Sequence, residues 1–324
     1  MSLRPQMTIA AAEPEEGLAF IQQMGIRYVS LMLKPEEITE DFVKAQQERL
    51  ARYNLEISDA FCTPLQKNKS IHLGLPDRDG EIEKFNRMLE VLGRAKVPFT
   101  SIAWQPDGIL RTDWRAGAHT RGGISMYCDQ AEVLAKPLSA GRKYTEEEIW
   151  GNFQYFMDRV LPTAEKYQVA MALHPNDPPL ACLTGVPSLI WNTQCYERAF
   201  ACAHGSPLLG MKLCVGCWLE AGDAFGDLMA DIAKYSAQGK ILCVHFRNVS
   251  APLPVFEETL AEDGYADMYA IMKAFVAADC HAVISIDHAF RPLPGMGGMT
   301  GAAAYSTGYM KGLLEAARRE LGKV

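Results

Sequence analysis

Four residues of metal-ligand type stand at the ends of four successive apolar runs in the C-terminal half of the chain. His174 closes the run 169–174, Cys214 closes 209–214, His245 closes 240–245 and Asp287 closes 281–287. None of these runs needs a polar residue for packing, so two imidazoles, a thiol and a carboxylate there require a chemical reason. Converging on one mouth, they would form a divalent-cation site. A soft thiolate beside nitrogen and oxygen ligands suits zinc, iron(II), cobalt or manganese better than magnesium or calcium. Four ligands in a closed tetrahedron leave no position for a substrate, which is the pattern of structural zinc. A catalytic role asks for five or six coordination and favours Mn2+ or Fe2+ among the divalent transition metals.

The neighbours of these four residues carry further candidate chemistry. His174 leads into Pro-Asn-Asp-Pro-Pro, a rigid turn in which Asp177 is a candidate general base or hydroxyl ligand, with an Asx turn as the plain alternative. Arg247 follows His245 by two, shares its face on a continuing strand and has the fork to grip a carboxylate; an ion pair at the rim explains it equally well. His288, next to Asp287, is a candidate acid–base group. Arg111, Asp113, His119 and Arg121 lie in a long segment positioned to cap the mouth, although for His119 and Arg121 a solvated loop is the simpler reading. Cys214-x-x-Cys217 has no second such pair, so Cys217 reads as a small packing residue.

These residues need a scaffold that brings strand ends together. Apolar segments over 7–11, 27–33, 55–61, 99–104, 169–174, 209–214, 240–245 and 281–287 read as eight short strands. Helical spacing appears over 13–24, 36–53, 79–94, 146–167, within 221–236, and over 267–278 and 305–321. Regular β-then-α alternation favours a parallel sheet covered by helices, and eight units favour one (β/α)8 TIM barrel spanning 1–324, with function at the carboxyl ends of the strands. A doubly wound sheet is the alternative, but no Gly-x-Gly-x-x-Gly follows the first strand. The segment 105–144, after the fourth strand, is rich in glycine and arginine and lacks periodicity, as a lid or binding loop would.

Composition narrows the function classes. With 324 residues, 48% hydrophobic and 22% charged, the chain has an ordinary globular composition. A formal charge of −7 argues against a nucleic-acid partner. No apolar run reaches membrane-spanning length, and the N-terminal stretch lacks a secretory core. Nine cysteines, mostly inside apolar runs, read as reduced thiols, so a cytoplasmic location is expected. Assembly into a homo-oligomer is compatible with all of this.

At the residues named above the chain resembles the mannonate dehydratases of hexuronate degradation, metal-dependent barrels related in fold to xylose isomerase. The resemblance rests on Leu73-Gly-Leu-Pro-Asp-Arg-Asp79, Arg111-Thr-Asp113, Met171-Ala-Leu-His-Pro-Asn-Asp-Pro-Pro179, Leu213-Cys-Val-Gly216, Val244-His-Phe-Arg-Asn-Val249 and Asp287-His288. It runs from about residue 17 to the C-terminal helix. It implies a metal held by His174, Cys214, His245 and Asp287, and it places Asp177, His288 and Arg247 in catalysis. Arg111, Asp113, Asn176, Asn248 and Tyr305 are then the substrate side. The implied reaction is dehydration of a sugar acid, D-mannonate or a related aldonate, to a 2-keto-3-deoxy sugar acid.

The chain departs from the family pattern where substrate would be held. Ser285-Ile-Asp-His-Ala289 stands for the usual Arg-Pro-Asp-His-Gly, and Asn176 replaces an aspartate. Near 260–267 a family histidine before Asn-Gly-Asp is missing, and the late Gly-Tyr aligns with Ala303-Ala304 beside Tyr305. Arg247, Arg291 and Arg111 are the expected replacements for the lost arginine. Two other readings accompany the dehydratase: a metal-dependent sugar isomerase or epimerase of the xylose-isomerase type, which needs no carboxylate grip, and a binding protein without chemistry.

Overall fold

A computed structural model describes residues 3–295 and 297–323. Eight strands form its centre: Arg4–Ala10 (β1), Tyr28–Met32 (β2), Glu56–Phe61 (β3), Phe99–Ala103 (β4), Ala170–His174 (β5), Leu209–Cys214 (β6), Ile241–Phe246 (β7) and Val283–Ile286 (β8). Their order is β3-β2-β1-β8-β7-β6-β5-β4 and every neighbouring pair is parallel. The two outer strands, β3 and β4, lie against each other. The sheet therefore curls into a nearly closed (β/α)8 barrel, as the alternation of segments predicts.

The covering helices are Glu15–Gln23 (α1), Glu40–Ala51 (α2), Arg78–Arg94 (α3), Glu146–Tyr167 (α4), Thr193–Cys202 (α5), Leu228–Ala237 (α6), Met268–Ala277 (α7) and Gly298–Glu320 (α8). In α3 the buried residues Ile82, Phe85, Met88, Leu89 and Leu92 recur at three- and four-residue spacing, which sets one apolar stripe against its neighbours. Phe85 meets Phe156 of α4 edge-on at 5.1 Å. Burying such a ring contributes about 2–3 kcal/mol. Thr145 and Glu148 close a reciprocal capping box at the start of α4, through bonds of 3.2 and 2.7 Å, which orients that long helix at about 1 kcal/mol.

Three expectations change. The segment 105–144 is not a plain loop: Asp113–Ala116 pairs antiparallel with Ile124–Asp129, which pairs with Val255–Glu257 from beyond β7. All four residues of Asp113–Ala116 are exposed, so no buried face imprints the alternation by which strands are recognised in sequence. Helix α8 starts seven residues before 305, in a Gly/Ala/Thr stretch with weak helix signals, and α5 had no counterpart in the sequence reading.

Inside the barrel the lower layer is small and apolar, built from Phe99, Ala170, Ala172, Cys243 and Val283. Alternation along each strand then sends His174, Cys214, His245 and Asp287 upward from that layer toward the carboxyl-end mouth. Low side chains beneath leave space above them. Among the described residues no helix is long and apolar enough to cross a membrane.

Candidate active site

Strands β5, β6 and β7 deliver His174, Cys214 and His245 so that one ligand atom from each lies within 4.8 Å of the others. Cys214 and His245 are register partners across β6 and β7. Asp287 lies just past the end of β8, with Oδ2 3.5 Å from Cys214 Sγ and Oδ1 3.0 Å from His245 Nδ1. That nitrogen makes no hydrogen bond despite the short distance. A nitrogen and a carboxylate oxygen that close but poorly aligned for a hydrogen bond are suited to sharing one cation. His174 Nδ1 donates to the Pro175 carbonyl at 2.7 Å, which leaves Nε2 as the metal-facing nitrogen. Burial opposes ionisation of Cys214, yet the neighbouring Cys217 thiol, Arg247 and His174 bring its pKa well below the usual thiol range. The donor set thus fits a divalent transition metal, with a thiolate, two imidazoles and a carboxylate at one point.

Beside this cluster lies a buried network of ions. Arg247 bonds Glu220 at 2.6 Å, Asp287 at 2.9 Å and Asp177 at 3.2 Å, with Glu258 at 3.4 Å. Arg111 bonds Asp177, Glu220 at 2.9 Å and Glu258 at 2.7 Å. Gly216 makes room for this packing, because a Cβ there would lie 2.4 Å from the Arg247 guanidinium carbon. Burial works against ionisation of Asp177, but Arg111 and Arg247 hold its carboxyl well below the usual range. Burial likewise opposes Glu258, and His288 and the two arginines bring it down to about 2. Glu220 goes the other way: burial and then Asp177 push it up to about 8, and its Oε2 has no partner.

His288 Nδ1 lies 3.0 Å from both Glu258 oxygens, and Nε2 lies 3.5 Å from Asp287 Oδ1. Burial alone would lower its pKa, but Asp287 and Glu258 raise it to about 9. Glu258 thus anchors the Nδ1 side of the ring, and Nε2 is the nitrogen left for proton exchange at the mouth.

The remaining predicted residues fall into different places, several of them corrections. Asn176 is buried and holds backbone: Nδ2 donates to Trp104 at 3.2 Å and Oδ1 accepts from Ile190 at 2.9 Å. Asn248 does the same for Ala261 and Ala266 at 2.9 and 3.0 Å. Neither amide is free for a substrate. Asp113 is exposed, accepting from the Trp114 amide at 2.7 Å. Arg111 is buried in the network rather than spread over the mouth, and Arg247 is equally occupied. Asp177, pinned by both, is a weak base. Tyr305 is 45% exposed at the rim, where its hydroxyl donates to Glu262 and receives Arg121 at 3.4 Å. Arg291 stacks 3.9 Å from the Trp114 ring. His119 holds the Asp263 carbonyl at 2.6 Å.

Glu220 and Glu258 escaped sequence reasoning. The legible signal for Glu220 was an acid inside the apolar run Val215–Ala221, which is buried throughout its first six residues. For Glu258 there was none, since its partners sit far away in sequence.

His72 is buried with its ring 4.3 Å from Trp104 and Nδ1 unbonded. Burial, then the charge of Lys67, lowers its pKa from 6.5 to about 3. A folded value below the unfolded one means stability that is complete above pH 6.5 and is lost as pH falls toward 3. His72→Phe is therefore expected to gain roughly 3 kcal/mol at pH 4 relative to its own effect at pH 7. Urea unfolding at the two pH values measures this; an equal effect at both would rule the titration out.

Known proteins similar to this chain point to one family. The family model for D-mannonate dehydratase (UxuA) matches residues 123–323. A mannonate dehydratase of Streptococcus suis (strain 05ZYH33) is 30% identical over 301 residues, covering 83% of this chain and 80% of the relative.

The chain belongs to the mannonate dehydratase family.

Mannonate dehydratase 2 of Halalkalibacterium halodurans is 28% identical over 305 residues, covering 85% and 86%. In three dimensions the fold is similar to the mannonate dehydratase from Streptococcus suis serotype2, with a TM-score of 0.86, 24% identity and coverage of 100% and 97%. An L-ribulose 3-epimerase shares the fold at a TM-score of 0.63 and 14% identity, covering 99% and 97%. Both of these likenesses are of fold alone. Family membership and the ligand cluster together mark the mouth as a metal-dependent site. Ser285 stands where the resemblance implies an arginine. It is level with His245 in the β7–β8 register, buried, with its hydroxyl unbonded.

Proposed function

We propose that this protein is a divalent-metal-dependent dehydratase of a sugar acid, D-mannonate or a related aldonate, forming a 2-keto-3-deoxy sugar acid. The observation that carries this reading is the convergence of His174, Cys214 and His245, with Asp287 beside them, next to His288 held on Glu258. In it, those four residues hold the metal, and the mixed thiolate, nitrogen and oxygen set favours Mn2+ or Fe2+. A cation bound there supplies Lewis acidity toward the charge that collects on the substrate carboxylate as the adjacent C–H proton leaves.

The chain's own residues divide the remaining work. His288 is the proton carrier: with Nε2 free of a proton it takes the C–H proton beside the carboxylate and passes that same proton to the departing hydroxyl, which leaves as water as the enol forms, while Glu258 keeps the ring oriented through Nδ1. Arg247 and Asp177 act as positioning residues: the arginine holds Asp287 in place, and Asp177 holds the arginine. Tyr305, with Arg121, borders the entry. The epimerase alternative draws support only from fold-level likeness, and family membership argues against it.

Protein loaded with Mn2+ or Fe2+ and given a panel of hexonates and pentonates is expected to release 2-keto-3-deoxy acid from at least one. Ketose formed from aldose, with no keto-acid from any aldonate, would overturn the dehydratase.

A further inference from the structure

A sugar acid brings a carboxylate into the barrel, and the arginines expected to receive it are occupied. Arg111 and Arg247 are each ringed by buried carboxylates. Arg121 pairs with Glu262, His288 with Glu258, and Arg291 lies on Trp114. Ser285 offers a short neutral hydroxyl. Two cations of the mouth differ. Lys67 and Lys212 have no carboxylate within 4.0 Å and no side-chain hydrogen bond among the described residues.

Each is placed by the barrel. Lys67 ends the helical turn Thr63–Gln66 that follows β3, so it stands at the carboxyl end of the strands. It is half-buried, and its ammonium feels the charges of Asp177, Asp287 and Lys212. Lys212 precedes Cys214 by two on β6, so both point inward, and in register it faces Cys243 of the lower layer. Only 6% of Lys212 is exposed, and its ammonium lies 5.8 Å from the Phe61 ring at the end of β3. Asp59 is the nearby acid, but its carboxyl is bound to Ser30 at 2.7 Å, and burial raises its pKa despite the pull of Lys212. Lys67 at the carboxyl end of the strands and Lys212 in the barrel interior are thus shielded cations with no carboxylate in ion-pair range, which is costly. An anion held by these ammonium groups relieves that unpaired burial.

We propose that Lys67 and Lys212 form the carboxylate-binding element of the substrate pocket, taking over from the arginine that Ser285 replaces. This assignment rests on the dehydratase reading for the identity of the ligand, an aldonate. It explains how the chain dispenses with a family arginine without freeing Arg247 or Arg111. It also makes the pocket selective for acids over neutral sugars, because closing it around an uncharged chain leaves both ammonium groups unpaired.

The test separates binding from turnover. Manganese-loaded wild type, Lys67→Met, Lys212→Met and Lys67→Arg are titrated calorimetrically with D-mannonate and with D-mannitol, its uncharged counterpart, after metal content and melting are checked. Wild type is expected to prefer the acid. Lys67→Met is expected to lose about 30-fold or more in mannonate affinity with mannitol binding unchanged, and Lys67→Arg to recover most of it. Lys212→Met, if it keeps its metal, is expected to behave like Lys67→Met. Equal binding of acid and alditol by wild type, or a Lys67→Met protein with wild-type preference, would overturn the lysine assignment whatever the reaction. Preference for the acid that the lysines control, with no keto-acid from wild type, would keep the assignment and overturn the dehydratase instead.

Discussion

His245→Ala protein is expected to be purified folded but almost without metal, and Cys214→Ala likewise. Each ligand atom here is held in place before the cation arrives, by strand register for Cys214 and His245 and by Arg247 for Asp287. Removing one donor from such a site forfeits a bond to the metal and leaves the other donors crowded around a space. Supporting partners outside the ligand shell already cost 10–100-fold in affinity when removed, in order-of-magnitude terms, and a ligand itself costs more. Turnover of the aldonate should fall by on the order of 10³ or more. Elemental analysis of dialysed protein, with circular dichroism to verify folding, checks the first statement; a keto-acid assay checks the second. Equal metal in wild type and both variants would remove the four-ligand site.

Arg247→Met is expected to be the most destabilising single change near the site. The guanidinium balances Glu220, Asp177, Asp287 and Glu258 in a place with almost no solvent. Methionine fills similar volume but leaves those carboxylates to Arg111 and His288. Breaking one side of a buried pair costs about 3–5 kcal/mol, which in a chain of this size lowers the melting temperature by roughly 5–8 °C. Arg247→Lys is expected to recover little, since a point charge cannot present several directed N–H bonds at once. A melting curve for Arg247→Met that overlays wild type would show that the network is not what holds this part of the barrel. Metal content should fall as well, because Asp287 loses the partner that orients it.

Much of this site was legible in the chain. The eight apolar segments and their alternation with helices give the barrel, because strand and helix periodicity are local properties of side-chain placement. His174, Cys214, His245 and Asp287 were legible for the same reason: each sits at the end of a run, and a parallel barrel gathers such ends on one face. Asn176 and Asn248 were misjudged because sequence shows an amide without showing its partners; both are saturated by backbone. The small sheet Asp113–Ala116, Ile124–Asp129 and Val255–Glu257 was missed because an exposed strand carries no apolar rhythm.

Sequence by itself determined the scaffold and the family and singled out four candidate metal ligands, since these depend on residue type at strand ends. Tertiary structure decided which cations are free. Arg111 meets Glu258 across 147 residues of chain, and Arg247 meets Asp177 across 70. Charge pairing of that kind is set by proximity in space, which no local pattern encodes, and it takes Arg111 and Arg247 away from substrate while leaving Lys67 and Lys212 with no carboxylate in ion-pair range among the described residues.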